Sequence, residues 1–151
     1  MAPRKSPPPP LLFLGCLGAG WGLGRWHALG LGLPVALRLG LGSALALAAL
    51  GLGSWALLTF RRGGTTPEPN GTASALLTTG PFRLTRNPLY LALSTLQAGL
   101  GLLLDSAWVL LGAPLLVILL DGLVIAREEA RLRSRFGAAY EAYVRRVRRW
   151  I

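Results

Sequence analysis

The chain has 151 residues, 52% of them hydrophobic and 15% charged, with a mean hydropathy of +0.50, too apolar for a soluble domain of ordinary composition. Sixteen Lys and Arg against six Asp and Glu leave a net charge of +10, which nucleic acid, a membrane surface or topology control would each explain. A single cysteine, Cys16, excludes an intrachain disulfide, and no Cys/His cluster has metal-ligand spacing, so no metal is expected.

Residues 1–10 carry Arg4 and Lys5 and then Pro7 to Pro10, which reads as a stiff, exposed lead-in. A secretory signal is the rival reading, with Leu14-Gly15-Cys16 resembling a lipoprotein cleavage site, but only residues 11–15 would serve as its apolar core. Four apolar segments follow, over 11–29, 35–60, 88–104 and 107–126, each near the roughly 20 residues needed to cross hydrocarbon. Pro34 separates the first pair and Arg61-Arg62-Gly63-Gly64 closes the second. Pro88 suits a first helical turn, and Asp105-Ser106 makes a tight hairpin with capping ability, so the last two segments are antiparallel neighbours. The fold class is all-α: a single membrane domain of about four transmembrane spans, with two N-terminal spans over 11–60, a second pair within 61–151, and an amphipathic C-terminal helix.

With both termini in the cytoplasm, fourteen of the sixteen basic residues fall on that side and only Arg25 and Arg38 outside. The positive-inside rule thus accounts for the charge, and nucleic acid binding becomes unnecessary. The Gly-rich stretches 18–24 and 40–53 follow no strand and lie in apolar segments, so they read as close helix packing, not as dinucleotide loops. Asn70-Gly71-Thr72 fits a glycosylation acceptor, yet its cytoplasmic, Gly/Pro-rich setting reads as a turn.

Polar residues inside the spans are sparse and carry corresponding weight. Asn87, Tyr90, Ser94 and Gln97 recur at three- and four-residue spacing and share one face of a helix that begins at Pro88. Periodicity by itself favours an interhelical hydrogen-bonding seam there. Asp121 and Glu128, seven apart, are expected to face alike, with Glu129 beside them among arginines. A solvated salt-bridge cluster with Arg127 and Arg131 and a ligand site are both open readings of this group. The hairpin brings residues 87–90 and 128–129 to the same cytoplasmic border. Leu132, Phe136, Tyr140, Val144 and Val147 then give the tail an apolar stripe suited to lie on anionic lipid or to cover a cofactor.

Leu77-Thr78-Thr79-Gly80-Pro81-Phe82-Arg83, Arg86-Asn87-Pro88-Leu89-Tyr90, Arg127-Glu128-Glu129 and Phe136-Gly137-Ala138-Ala139-Tyr140 resemble the isoprenylcysteine carboxyl methyltransferase and phospholipid methyltransferase family. The likeness covers residues 65–151, and the order and separation of the pieces across a hairpin make it specific. The resemblance implies an integral membrane enzyme that uses S-adenosylmethionine, with membrane lipids around it and a hydrophobic methyl acceptor. It implies catalytic roles for Arg86, Asn87 and Tyr90, and a cofactor site of Leu76, Leu77, Phe82, Asn87, Pro88, Leu89, Tyr90, Glu128 and Glu129. A carboxylate suits ribose hydroxyls or the methionine ammonium, and aromatic faces suit adenine or the sulfonium. Arg86 or backbone amides would hold the methionine carboxylate.

Two departures stand out. Asn87 replaces the family's usual histidine, which removes a titratable group from that position. Val124 stands where the isoprenylcysteine branch has an arginine tied to its prenylcysteine substrate, which argues against a prenylcysteine carboxylate; the expected depth of the site, at the membrane border, points instead to a lipid-like or otherwise hydrophobic acceptor entering from the bilayer. The alternative function is a non-catalytic membrane protein that uses its basic tail to bind lipid or a partner. A reductase on a related bundle lacks any nicotinamide-phosphate signature.

Overall fold

The computed structural model describes residues 6–67 and 74–151, so Arg4, Lys5 and Asn70-Gly71-Thr72 lie outside the described residues. Among the described residues the chain is helical, with no strand: α1 Pro9–Trp26, α2 Val35–Arg62, α3 Pro88–Leu103, α4 Ala107–Leu120 and α5 Ala126–Val144. A wide π turn, Asp121–Ile125, makes α4 and α5 one continuous helix, and a 3-10 turn, Gly80–Arg83, precedes α3. Two of these helices, Val35–Arg62 and Ala107–Val144, are long and apolar enough to cross a membrane, and α3 is a shorter apolar helix. Trp26, Leu47 and Ile118 stand 87%, 68% and 67% exposed on the outside of the bundle, apolar surface of the kind that fits hydrocarbon better than water.

The proline run does not stay outside α1. Pro9 and Pro10 form its first turn, Pro9 is buried, and the Pro8 carbonyl accepts from the Leu11 and Leu12 amides. A first helical turn needs no amide donors, so proline is tolerated there.

The helices pack in the order α2, α3, α4, α1, with α3 and α4 in the middle. Small residues bring the backbones together. A Cβ on Gly99 would stand 3.0 Å from the Gly42 carbonyl oxygen across the α2–α3 contact, and one on Gly20 would stand 2.8 Å from the Val109 Cα across α1–α4. Apolar burial drives helices together weakly in hydrocarbon, so this close van der Waals contact carries more of the load. Gly18, Gly22, Gly40 and Gly51 meet open space, so only part of each glycine stretch serves packing.

The α3–α4 hairpin turns at Asp105, whose φ of 51° is left-handed, and Ser106 caps α4 by accepting from the Val109 amide at 3.3 Å. The Asp105 carboxylate accepts from the Leu31 amide at 3.1 Å and lies 3.7 Å from Arg38, which ties the α1–α2 connection to the same end. The stripe expected on α3 is buried throughout: Asn87, Tyr90, Ser94 and Gln97. Gln97 donates to the Val109 carbonyl at 3.1 Å, the seam reading for that member.

In the second half one expectation is corrected, and of the two open readings of the tail the structure takes the inward-facing one. Asp121 does not face with Glu128: Arg149 grips Asp121 together with Glu129, while Glu128 meets Tyr90. A π turn carries an extra residue per turn, so the register beyond it slips by one and eight residues, not seven, separate the carboxylates that align. The tail's stripe packs inward: Leu132, Phe136, Val144 and Val147 surround Phe82, Tyr140 and Tyr143, with Phe60, Leu76 and Leu77 opposite. Gly137, at φ 48° and ψ −123°, breaks α5 and turns its second half back over the loop, a conformation open to glycine and strained for other residues.

Candidate functional site

At the end of the bundle away from the hairpin, the segment before α3, the α3 N-terminus and α5 enclose a cavity of about 290 Å³, near the lower end of the roughly 300–1,000 Å³ of small-ligand pockets. Leu76, Leu77 and Phe82 reach it from the loop, Arg86 to Tyr90 from the start of α3, and Glu128 and Glu129 from α5. All the residues singled out by the motifs therefore line one space. Phe60, Thr65, Arg131, Arg135, Tyr140 and Tyr143 line it too, and the motifs did not single them out as site residues.

Local sequence explains how these side chains are held. Gly80 has a φ of 58°, and a Cβ there would press within 2.9 Å of the Thr59 hydroxyl. The turn it permits carries Phe82 against Phe60, edge to face at 5.3 Å, and the Tyr143 hydroxyl donates to the Phe82 carbonyl at 2.7 Å. Pro88 opens α3 without needing a donor, and Tyr90 stands in its first turn. From there its hydroxyl donates to the Glu128 carboxylate at 3.0 Å, joining α3 to α5. Glu128 lies beyond the apolar part of its helix. Burial pushes its carboxyl above the usual range, opposed by the Tyr90 hydrogen bond and by the charge of Arg131.

The two glutamates are not equivalent. Glu129 is buried and saturated: Arg86 lies 3.1 Å from one oxygen and Arg149 takes both, at 3.0 and 2.6 Å. Arg149 also reaches both oxygens of Asp121 at 3.1 and 3.2 Å, and the Trp150 indole donates to Asp121 at 3.3 Å. The tail backbone completes a clasp. The Arg149 carbonyl accepts from the Thr85 hydroxyl and the Asn87 amide, each at 2.9 Å, and the Arg148 carbonyl accepts from the Arg86 amide at 3.0 Å. Asn87 thus spends a side-chain donor on the tail. Glu128, with one bond to Tyr90, keeps acceptor capacity for something else.

Not every polar atom here is satisfied. Arg86 Nε and Nη1 and Arg131 Nη2 are buried without a hydrogen-bond partner. Buried guanidinium donors rarely go unpaired, so the cavity has room for an acceptor. No group of three or more His, Cys, Asp or Glu able to hold a metal occurs among the described residues.

A second, apolar groove of about 510 Å³ runs between the start of α1, α2 and α3, lined by Pro8 to Pro10, Leu50, Leu57, Leu93 and Leu96 among others. Pro67, Leu89 and Tyr90 line both spaces, so the cavity and the groove adjoin at the first turn of α3. Val124 is fully buried beside Tyr90, Leu116 and Leu120, which makes that position part of the apolar core.

Among known proteins, residues 37–139 match the phospholipid methyltransferase family. An uncharacterized protein of Haemophilus influenzae is 35% identical over 63 residues, 42% of this chain and all of that protein. No solved structure matches. The family match covers the cavity's segments from α2 through Glu128 and Glu129 and more than half of the chain, and the chain belongs to the phospholipid methyltransferase family, a family of membrane methyltransferases.

Proposed function

We propose that this protein is a multi-pass membrane methyltransferase that binds S-adenosylmethionine in the 290 Å³ cavity and methylates a hydrophobic, lipid-like acceptor seated along the adjoining apolar groove. The observation that carries this reading is the shared wall: Tyr90 and Leu89 line both spaces, so a donor in one and an acceptor in the other would meet at the first turn of α3. In this reading α1 to α4 are four spans, and the site, the basic tail and both termini face the cytoplasm, in keeping with the charge asymmetry.

The donor set suits this cofactor. Glu128 offers a carboxylate with spare acceptor capacity for an ammonium or ribose hydroxyls. Phe82, Tyr140 and Tyr143 offer ring faces to adenine or to a cationic sulfur. The cofactor supplies an activated methyl group, so the protein has mainly to align donor and acceptor and keep water out. Phe60, Leu77 and Leu132 give the cavity apolar walls, and the bond to Glu128 holds Tyr90 where the two spaces meet. Since Glu129 is engaged by two arginines, its part is to hold Arg86 and the tail in place, and Glu128 carries the ligand contact.

Titrating the purified protein in detergent with methyl-labelled S-adenosylmethionine tests the reading. Saturable binding, weakened by Glu128→Gln and by Tyr90→Phe, supports it, and label moving into the lipid fraction of membranes identifies the acceptor class. Absence of saturable binding to the wild type refutes it. Binding left unchanged by both substitutions, with function lost only when tail arginines are replaced, favours a non-catalytic lipid-binding or partner-binding protein.

A further inference from the structure

Arg131 stands one helical turn after Glu128 on α5, on the same face of the helix. Both line the cavity, together with Arg86. Glu128 has its one bond to Tyr90, whereas Arg131 Nη2 and two of the Arg86 nitrogens are buried with no partner. The third Arg86 nitrogen is spent on Glu129, so that guanidinium is held in place while its remaining donors stay free. An unpaired buried donor on a charged group is costly. A carboxylate held by Tyr90, beside unpaired guanidinium donors of which those of Arg86 are held by Glu129, is the complement of a compact zwitterion, with an ammonium a few bonds from an oxyanion.

We propose that Glu128, Arg131 and Arg86 form a zwitterion subsite in which Glu128 receives an ammonium and the free donors of Arg131 and Arg86 receive an oxyanion. The inference rests on the methyltransferase reading and adds Arg131 to its site. Two ligands of that reading carry this chemistry: the amino-acid end of the cofactor, with its carboxylate, and an aminophospholipid headgroup, with its phosphate. The geometry favours neither oxyanion over the other, because a guanidinium fork accepts both.

The test compares wild type, Arg131→Gln and Arg131→Lys, in lipid nanodiscs, with three probes. S-adenosylhomocysteine carries the zwitterion, 5′-methylthioadenosine keeps the nucleoside without it, and phosphatidylethanolamine, scored against diacylglycerol, carries the headgroup. If the cofactor end occupies the subsite, Arg131→Gln weakens S-adenosylhomocysteine roughly ten- to a hundred-fold, the loss expected for a hydrogen bond to a charged group. Methylthioadenosine is then unaffected, and Arg131→Lys restores part of the loss. If the headgroup occupies it, both nucleosides bind Arg131→Gln as they bind wild type, and the preference for phosphatidylethanolamine over diacylglycerol disappears. Either result supports the subsite. Equal losses for S-adenosylhomocysteine and methylthioadenosine overturn it, since they report general damage, and so does an Arg131→Gln variant that binds all three probes like wild type. A wild type that binds no nucleoside but prefers phosphatidylethanolamine, with the preference lost in Arg131→Gln, refutes the cofactor reading and leaves the subsite standing.

Discussion

Glu128, through its burial, works against the stability of the fold. Its folded proton affinity is raised by burial, so the sign of its contribution follows directly. Stability is greatest below the ordinary carboxylate range, where the group is protonated in both states, and falls as pH rises toward its elevated folded value. Above the ordinary carboxylate range the fold therefore carries the cost of burying an acid that must either keep its proton or hide its charge, a cost that an amide does not impose. Glu128→Gln is therefore expected to raise the melting temperature in detergent at pH 7, by about 2–4 °C for each kcal/mol relieved, with the gain vanishing as pH approaches 4. The same variant should bind the cofactor more weakly, so a stability gain accompanies a functional loss. Tyr90→Phe tests the partner: it deletes the 3.0 Å bond to Glu128 and should cost about 1–3 kcal/mol of stability, read by thermal melting. Such a cost was legible in neither motif, because the sequence names Tyr90 and Glu128 but not the contact between them.

Two elements depart from regular helix, and both serve the site. The π turn shifts the register so that Asp121 aligns with Glu129 and leaves Glu128 to the cavity. Heptad counting assumes an unbroken α-helix, which is why a seven-residue spacing misplaced Asp121. Gly137 turns the tail so that Tyr140 and Tyr143 reach the loop. Gly137→Ala should cost about 1–3 kcal/mol and loosen residues 138–151. Faster proteolysis of the tail, with the helices of the bundle still protected, would report it. A tail digested no faster than in wild type would mean that the kink is dispensable. The amphipathic stripe itself was plain from spacing, but spacing cannot tell a lipid surface from the protein's own loop, since both accept an apolar face.

At the scale of the whole molecule the site-forming segments are tied together at the tail, with Arg149 at the centre of the clasp. Arg149 bonds Glu129 and Asp121 through its side chain and Thr85 and Asn87 through its carbonyl. Its side chain is about one-third exposed, which lowers the strength of each pair below that of a fully buried one. Arg149→Ala nonetheless leaves buried Glu129 with Arg86 alone, and unfolding with temperature should begin at the tail before the bundle melts. Arg149→Lys should recover only part of the loss, because an ammonium lacks the fork that spans two carboxylates. A single sharp transition at the wild-type temperature in Arg149→Ala would show that the clasp is ornamental.

The sequence by itself determined the membrane character, the helical class, the antiparallel α3–α4 pair and the residues that belong together in one region. These follow from composition, segment length and local turn chemistry, which act over a few residues at a time. Only the tertiary structure decided which glutamate is free and which is clamped, that the tail folds inward, and that Arg131 enters the cavity with an unpaired donor. Those outcomes depend on a register shift at one turn, a kink at one glycine and contacts between residues from twenty to more than sixty positions apart. No periodicity along the chain encodes such features, because each is settled by which surfaces meet when the helices pack.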